Sequence, residues 1–119
     1  MSPKALTSDG PLSPQVFHIL ISLHDNELHG YGIIQQVSAR TDGALRLSAS
    51  TLYGAIKRML RDGLIEESDE RPAPDQDDER RRYYRITQAG REAVTKEGRR
   101  VTELARMVAE QGLLPEHQG

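Results

Sequence analysis

The stretch from Ser48 to Gly63 constrains the fold of this chain more than any other. On a helix that turns about 100° per residue, its side chains separate into two nearly opposite faces. The apolar face, which needs a core, consists of Leu52, Ile56, Met59 and Leu60. The opposite face carries small and hydroxyl side chains near its start and cations further along: Ser50, Thr51, Gly54, Lys57, Arg58 and Arg61. Such a helix is either an ordinary amphipathic surface helix or one that enters a DNA major groove.

The residues at both ends of this stretch predict where the helix begins and ends. Ser48 is a good N-cap, because its hydroxyl can accept a hydrogen bond from a backbone N–H of the first turn. Leu47 and Leu52 have the spacing of a hydrophobic staple. Asp62 and Gly63 predict the end, since glycine takes the left-handed conformation after a helix without steric cost.

Length limits the chain to one modest domain, or one domain with an appended arm, because 119 residues support a single core. The absence of cysteine excludes a disulfide framework, a thiolate zinc site and a cysteine nucleophile. No apolar run approaches the roughly 20 residues of a membrane span, and no signal peptide is recognisable. These features predict a cytoplasmic protein without a membrane segment.

Charge is unevenly distributed along the chain, although the formal net charge is only −2. Residues 66–79 contain eight acids and one arginine, whereas residues 80–85 contain four arginines and no acid. Residues 46–63 carry four cations and one acid. The average therefore conceals two basic patches of the kind that bind nucleic acid.

Two further helices are predicted before the central one, after a flexible arm at residues 1–11. Helix one begins at Ser13 and Pro14, an N-cap followed by proline in the first turn. Its core stripe recurs at helical spacing: Leu12, Val16, Ile19, Leu20 and Leu23. Helix two opens within residues 28–32 and runs to about Arg40. Its predicted inward residues are Tyr31, Ile34 and Val37.

The pattern changes after the central helix to that of a β-hairpin. Residues 64–68 can form a short strand, and residues 69–79 form a loop with two prolines among acids. Residues 80–86 alternate, with Arg82, Tyr84 and Ile86 on one face. Three helices followed by a hairpin predict a winged helix-turn-helix at residues 12–86, which is a mainly α fold with a small β-hairpin (α+β).

A long last helix is predicted from Thr87, a good N-cap, to about Gly112, before a disordered tail at residues 113–119. Its apolar stripe recurs about every seven residues and consists of Val94, Val101, Leu104 and Val108. A second copy of the chain is the economical partner for this stripe, giving a dimer at residues 87–112. Glu97 and Gln111 interrupt the stripe, so helix one of the other subunit is expected to add apolar surface. The alternative is a helix that folds back on its own domain.

Together these segments resemble the PadR family of bacterial transcriptional regulators over roughly residues 12–104. Four segments carry the resemblance: Leu28-His29-Gly30-Tyr31, Ser50-Thr51-Leu52-Tyr53, residues 57–65 and residues 81–90. The single C-terminal helix is similar to the short-chain branch of the family. The resemblance implies a homodimer that represses transcription, often of transporter or detoxification genes and often of its own gene. It also implies relief by a small molecule, which in relatives is a phenolic acid or a multidrug compound.

The wing departs from the family pattern. Relatives carry glycine and basic residues at the tip, whereas residues 71–79 here are rich in proline and acid. Acids held against phosphates oppose binding, so we expect the tip to swing clear of DNA. Arg80, Arg81 and Arg82 at the base would then contact phosphates. Alternatively, the tip is a regulatory or partner-binding element.

The predicted DNA contacts divide between the two ends of the central helix. Ser50, Thr51 and Tyr53 are expected to contact base edges or the backbone. Lys57, Arg58 and Arg61 are expected to contact phosphates, with one of them reading guanine. Three alternatives stay open. The Ser-Thr pair is only a cap, and Tyr53 packs against the wing. Arg81, Arg82 and Arg85 form a solvated strand face that pairs with wing acids.

Other kinds of site receive little support from the sequence. The four histidines lack ligand spacing, and no nucleophile with a base and an orienting group can be nominated. We therefore predict no enzyme activity, metal or cofactor. The resemblance implies an effector site between the C-terminal helices and helix one, lined by Phe17, Leu104 and Val108. The alternative function is a protein-interaction module whose acidic wing binds a basic partner.

Overall fold

The computed structural model describes residues 10–68 and 82–114. Arg80 and Arg81, with the rest of the predicted wing tip, lie outside the described residues, as do residues 1–9 and 115–119. The elements follow in chain order: α1 Pro14–Leu23, β1 Leu28–His29, α2 Gly30–Arg40, α3 Ala49–Arg61, β2 Ile65–Glu67, β3 Tyr83–Ile86 and α4 Gln88–Glu110. The fold is mainly α with a small sheet, as the sequence predicts.

Polar side chains cap the start of each helix. The Ser13, Ser48 and Thr87 hydroxyls accept hydrogen bonds from backbone N–H groups at 3.2, 3.2 and 3.0 Å, which confirms the three predicted caps. His29 caps α2 through Nδ1, which accepts from the Gly32 N–H at 2.9 Å. After α3, Gly63 has a φ of +77°, the left-handed conformation expected of it.

The core lies among α1, α2, α3 and the sheet. Its buried apolar residues are Val16, Ile19, Leu20, Leu23, Ile33, Val37, Leu47, Leu52, Ala55, Ile56, Met59, Ile65, Tyr84 and Ile86. The predicted stripe of α1 is among them, except that Leu12 is partly buried at its edge. Aliphatic side chains supply nearly all of this core, and Tyr84 is the one aromatic residue among these buried residues.

The predicted inward face of α2 is wrong in one position. Tyr31 is 63% exposed, whereas Ile33 and Val37 are fully buried and Ile34 packs at the edge of the core. The helix begins at Gly30, because the two preceding residues form β1. Tyr31 is two residues from Ile33, so the two side chains point about 160° apart around the helix.

The predicted apolar face of α3 is correct except for Leu60. Leu52, Ile56 and Met59 are buried, but Leu60 is 36% exposed and Ala55 is buried instead. The four buried side chains centre on a direction about 90° from that of Leu60. The core therefore meets α3 on the side of Ala55.

The sheet has three antiparallel strands in the order β1-β3-β2. The β2–β3 hairpin was predicted, and the structure pairs Ile65 with Ile86 in it. Strand β1 was not predicted; it pairs Leu28 with Tyr84. Alternation along β3 buries Tyr84 and Ile86, so this strand closes one side of the core.

The last helix packs on the domain over its first turns and then leaves it. Gly90 and Glu97 are buried, and Val94 packs against the core. Beyond Gly98 the side chains are exposed, apart from a half-buried Val108. The first part of α4 therefore faces its own domain, and the second part presents its apolar stripe outward.

Candidate nucleic-acid interface

The polar face of α3, made by Ser50, Thr51, Gly54, Lys57, Arg58 and Arg61, lies on the surface. All of these residues are exposed except Gly54, which is half-buried. The face is fixed in direction because the opposite side of the helix is anchored by Leu52 and Met59 in the core. The structure thus brings together most of the predicted contact residues on one helix.

Hydroxyl groups cluster at the start of this face. The Ser48 hydroxyl donates to Thr51 Oγ1 at 3.0 Å and lies 3.4 Å from Ser50 Oγ. The cap and the predicted contact are therefore the same group of side chains. Because all three residues are exposed, the cluster can exchange these internal bonds for bonds to a ligand.

The cations of the face are available to an anionic partner. Within the described part of the chain, Lys57 and Arg58 form no ion pair. Arg61 Nε contacts Asp62 Oδ1 at 3.1 Å, and its side chain is 67% exposed. A surface pair of this kind contributes about 0–1 kcal/mol, so it yields readily to a phosphate. The Arg58 guanidinium lies over Gly54, 3.8 Å from where a Cβ would stand.

Tyr53 occupies a flank of α3 and contacts the start of α2. A Cβ on Gly30 would lie 2.5 Å from the Tyr53 hydroxyl oxygen and 3.0 Å from Cζ. The half-buried ring therefore packs on the first turn of α2 and needs glycine there. This contact places the beginning of α2 directly beside the polar face of α3.

Tyr31 is a candidate contact residue that the sequence analysis missed. It follows Gly30 in the first turn of α2, and its exposure allows the phenol to reach outward. Its direction around α2, relative to the buried residues, could have identified it from the sequence. With the helix started at Gly30, Ile33 and Val37 define the buried side, and Tyr31 falls opposite.

The arginines at the wing base that the structure describes pair with acids. Arg82 Nη1 lies 3.2 Å from Glu67 Oε2. Arg85 Nε lies 2.8 Å from Glu66 Oε2, and its Nη1 lies 3.8 Å from Glu27 Oε2. This is the arrangement that the sequence analysis gave as the alternative to phosphate contact.

The predicted dimerisation residues differ in exposure along α4. Val94 is partly buried against its own core, whereas Val101 and Leu104 are 40% and 45% exposed. Met107 adds to this surface at 46% exposed. Beside the stripe, Arg106 bonds to the carboxylates of Glu103 and Glu110, and these hydrogen bonds raise the pKa of Arg106.

Glu97 interrupts the stripe because it serves its own domain. Its side chain is 5% exposed, and Oε1 accepts hydrogen bonds from the Leu12 N–H at 3.3 Å and from Arg100 Nε at 3.1 Å. The Arg100 hydrogen bond holds the pKa of Glu97 below its ordinary value; partial desolvation opposes this, and the Leu12 bond supports it. Glu97 thus ties α4 to the chain just before α1.

The predicted effector residues lie on two helices of the described chain, α1 and α4. Phe17 is half-buried on α1, while Leu104 is exposed far along α4. A groove of about 780 Å³ lies elsewhere, where the start of α1 and the end of α3 meet the first turns of α4. Neither Phe17, Leu104 nor Val108 lines it.

Potential metal ligands do not gather in the described chain. Among residues 10–68 and 82–114, no cluster of three or more potential metal-binding side chains occurs. Among the helices that the structure describes, none has the length and hydrophobicity of a membrane span.

Three helices, a three-stranded sheet and an exposed hydroxyl-and-cation face on the third helix define a winged helix-turn-helix protein. The model of the family described as "Transcriptional regulator PadR-like family" matches residues 19–96. A Mycobacterium tuberculosis (strain ATCC 25618 / H37Rv) protein, "Transcriptional regulator Rv3488", is 42% identical over 91 residues, which are 76% of this chain and 78% of that protein. The chain therefore belongs to the PadR-like family of transcriptional regulators, which are DNA-binding proteins and not enzymes.

Solved structures share the fold. A transcriptional regulator from Clostridium thermocellum matches with a TM-score of 0.66 and 24% identity, covering 93% of this chain and 96% of its own. Bacillus subtilis PadR in complex with operator DNA matches with a TM-score of 0.62 and 20% identity, covering 73% of this chain and 46% of its own.

Proposed function

We propose that this regulator binds a specific operator as a homodimer and represses transporter or detoxification genes, its own gene, or both. A small-molecule effector relieves the repression. The observation that carries the proposal is the polar face of α3, which presents hydroxyls and exposed cations on a helix anchored by the core. The operator-DNA complex of the structurally similar Bacillus subtilis PadR supports this use of the fold.

The division of work on the polar face follows from side-chain chemistry. Ser50 and Thr51 are short and can approach base edges closely, and Gly54 adds no bulk between them and the groove. Lys57, Arg58 and Arg61 reach phosphates, and an arginine among them is suited to bidentate contact with guanine.

Neighbouring elements extend this surface. Tyr31 is suited to a phosphate or sugar contact, because its phenol is exposed at the start of α2 and it follows Gly30, which Tyr53 contacts. At the wing base, Arg82 contacts phosphate by exchanging its partly exposed pair with Glu67, together with Arg80 and Arg81 outside the described residues.

The second copy of the chain covers the exposed stripe of α4. Val101, Leu104 and Val108 would otherwise leave an apolar surface in water on a helix that projects from its domain. Two copies related by a twofold axis also place two α3 helices about one DNA turn apart, as a palindromic operator requires.

A mobility-shift assay with the region upstream of the chain's own gene tests DNA binding, at two salt concentrations. Binding should weaken steeply with salt, because lysine and arginine displace counterions from phosphates. The Lys57→Glu/Arg61→Glu variant should lose binding. Arg91→Glu/Arg99→Glu is the matched control, since both arginines are exposed and belong to a different helix, α4. Equal loss in both variants, or salt-insensitive binding, would contradict the proposal.

The alternative function predicted from the sequence is a protein-interaction module with an acidic wing. It depends on residues 71–79, which lie outside the described residues, so it stays a prediction. Neutralising Asp75, Asp77 and Asp78 while leaving α3 intact would abolish a partner-linked phenotype but spare a DNA-linked one.

A further inference from the structure

The first turn of α4 is bonded to the end of α3. The Thr87 N–H donates to Leu64 O at 3.1 Å, and the Thr87 hydroxyl donates to Gly63 O at 2.6 Å. The same hydroxyl accepts the Gly90 N–H. Leu64 is itself held to α3, because its N–H donates to Met59 O at 2.9 Å. A short chain of hydrogen bonds therefore connects α3 to α4.

Gly90 also allows the backbone of α4 to approach the backbone of Leu64 closely. A Cβ at this position would lie 2.2 Å from Leu64 O and 2.7 Å from Ile86 Cγ1. Leu64 O is a backbone atom, so it cannot move aside as a side-chain tip can. By contrast, a Cβ on Gly98 of the same helix would meet no atom of the described chain within 4 Å. Of these two glycines, only Gly90 is required by contact.

A second attachment holds α4 further along. Glu97 accepts a hydrogen bond from the Leu12 N–H, just before α1. Gly90 and Glu97 are seven residues apart, about 10 Å along a helix. One attachment would let a rod pivot, whereas two attachments to one domain fix its direction.

We propose that Thr87, Gly90 and Glu97 are positioning residues that set the distance between the two α3 helices of the dimer, and hence the operator spacing it accepts. This inference rests on the proposed operator-binding dimer. The exposed part of α4 beyond Gly98 extends about 20 Å, so a 10° pivot moves its end by about 3.5 Å. That displacement equals about one base-pair rise, which is about 3.4 Å. A small change in the angle between α4 and its domain therefore changes the distance between the two α3 helices at the DNA.

The test compares Gly90→Ala and Thr87→Val with the matched controls Gly98→Ala and Thr95→Val. The wild-type protein and each variant are titrated with the upstream duplex that the wild type binds in the mobility-shift assay. They are also titrated with duplexes that have one base pair added or removed between the half-sites, and with a single half-site. For Gly90→Ala and Thr87→Val we expect unchanged half-site affinity, an unchanged dimer and about tenfold weaker binding of the natural spacing, the size of one lost base contact. We also expect a changed order of preference among spacings, and Thr87→Ser should restore the natural order.

The inference would be overturned if Gly90→Ala and Thr87→Val both kept the wild-type order of preference among half-site spacings. It would also be overturned if both variants lost half-site binding and operator binding in equal proportion, because a structural defect alone produces that result. Thr87→Val removes the side-chain hydrogen bond between the start of α4 and the end of α3 without the backbone clash that Gly90→Ala introduces. A wild-type chain that binds no duplex would overturn the proposed function itself.

Discussion

At the scale of single residues, two glycines lie where another group of the protein packs directly against the backbone. Gly30 accommodates the Tyr53 ring, and Gly90 accommodates the Leu64 carbonyl. Gly54 differs, because among the described residues only the Arg58 guanidinium lies near the place where a side chain would stand. Its lack of bulk serves no contact within the described chain, which agrees with a role toward an external partner.

Gly54→Ala therefore separates stability from DNA binding. Alanine should raise the free energy of unfolding by about 0.5–1 kcal/mol, because it restricts the unfolded chain and fits the helix. The added methyl group should also weaken operator binding about tenfold, the cost of one disrupted base contact. Urea unfolding and mobility-shift titration measure the two effects. Gly98→Ala should show the stabilisation alone, and equal DNA affinity in both variants would contradict the role of Gly54.

At the scale of elements, boundaries were predicted better than faces. The Ser13, Ser48 and Thr87 caps are local chemistry, since the hydroxyl bonds a backbone N–H three residues away. The inward face of α2 was misjudged at Tyr31, because Ile33 and Val37 face the core and Tyr31 points away from it. Strand β1, directly before α2, was not predicted at all. That strand exists only through pairing with β3, more than fifty residues later.

Glu97 on α4 predicts a pH dependence of stability. Its pKa is lowered in the folded protein from 4.5, chiefly by the Arg100 hydrogen bond. The charged carboxylate therefore stabilises the fold above pH 4.5, and this contribution is lost as the pH falls below 4.5 through the folded-state pKa. In denaturation measured from neutral to acidic pH, the stability advantage of wild type over Glu97→Gln should shrink. Glu103→Gln, at an exposed position, is the control, and a constant Glu97→Gln difference would contradict the prediction.

At the scale of the whole molecule, α4 divides into a part that belongs to its own domain and a part that does not. The sequence analysis treated Val94, Val101, Leu104 and Val108 as one dimerisation stripe. The described chain uses Val94 internally and leaves Val101 and Leu104 exposed. Dimerisation stays a prediction, now confined to the distal part of the helix.

Leu104→Glu tests that surface. Because Leu104 is 45% exposed, the change should leave the domain folded while placing a charge in the apolar contact between subunits. Sedimentation should then show a monomer, with helical circular dichroism retained and operator affinity reduced. Thr102→Glu is the matched control, since residue 102 points about 160° away from residue 104. A dimer that persists in Leu104→Glu would place the interface elsewhere.

The amino-acid sequence was sufficient to predict the helix caps, three of the four residues named for the apolar face of α3, the β2–β3 hairpin and the polar face opposite the core. These features depend on neighbours within a few residues or on a regular repeat, so periodicity and capping chemistry are sufficient. Tertiary structure alone decided the exposure of Tyr31, the packing of Tyr53 on Gly30 and the use of Glu97 as a tie to Leu12. These contacts join residues far apart in the chain, and no local pattern specifies which distant backbone a side chain will meet.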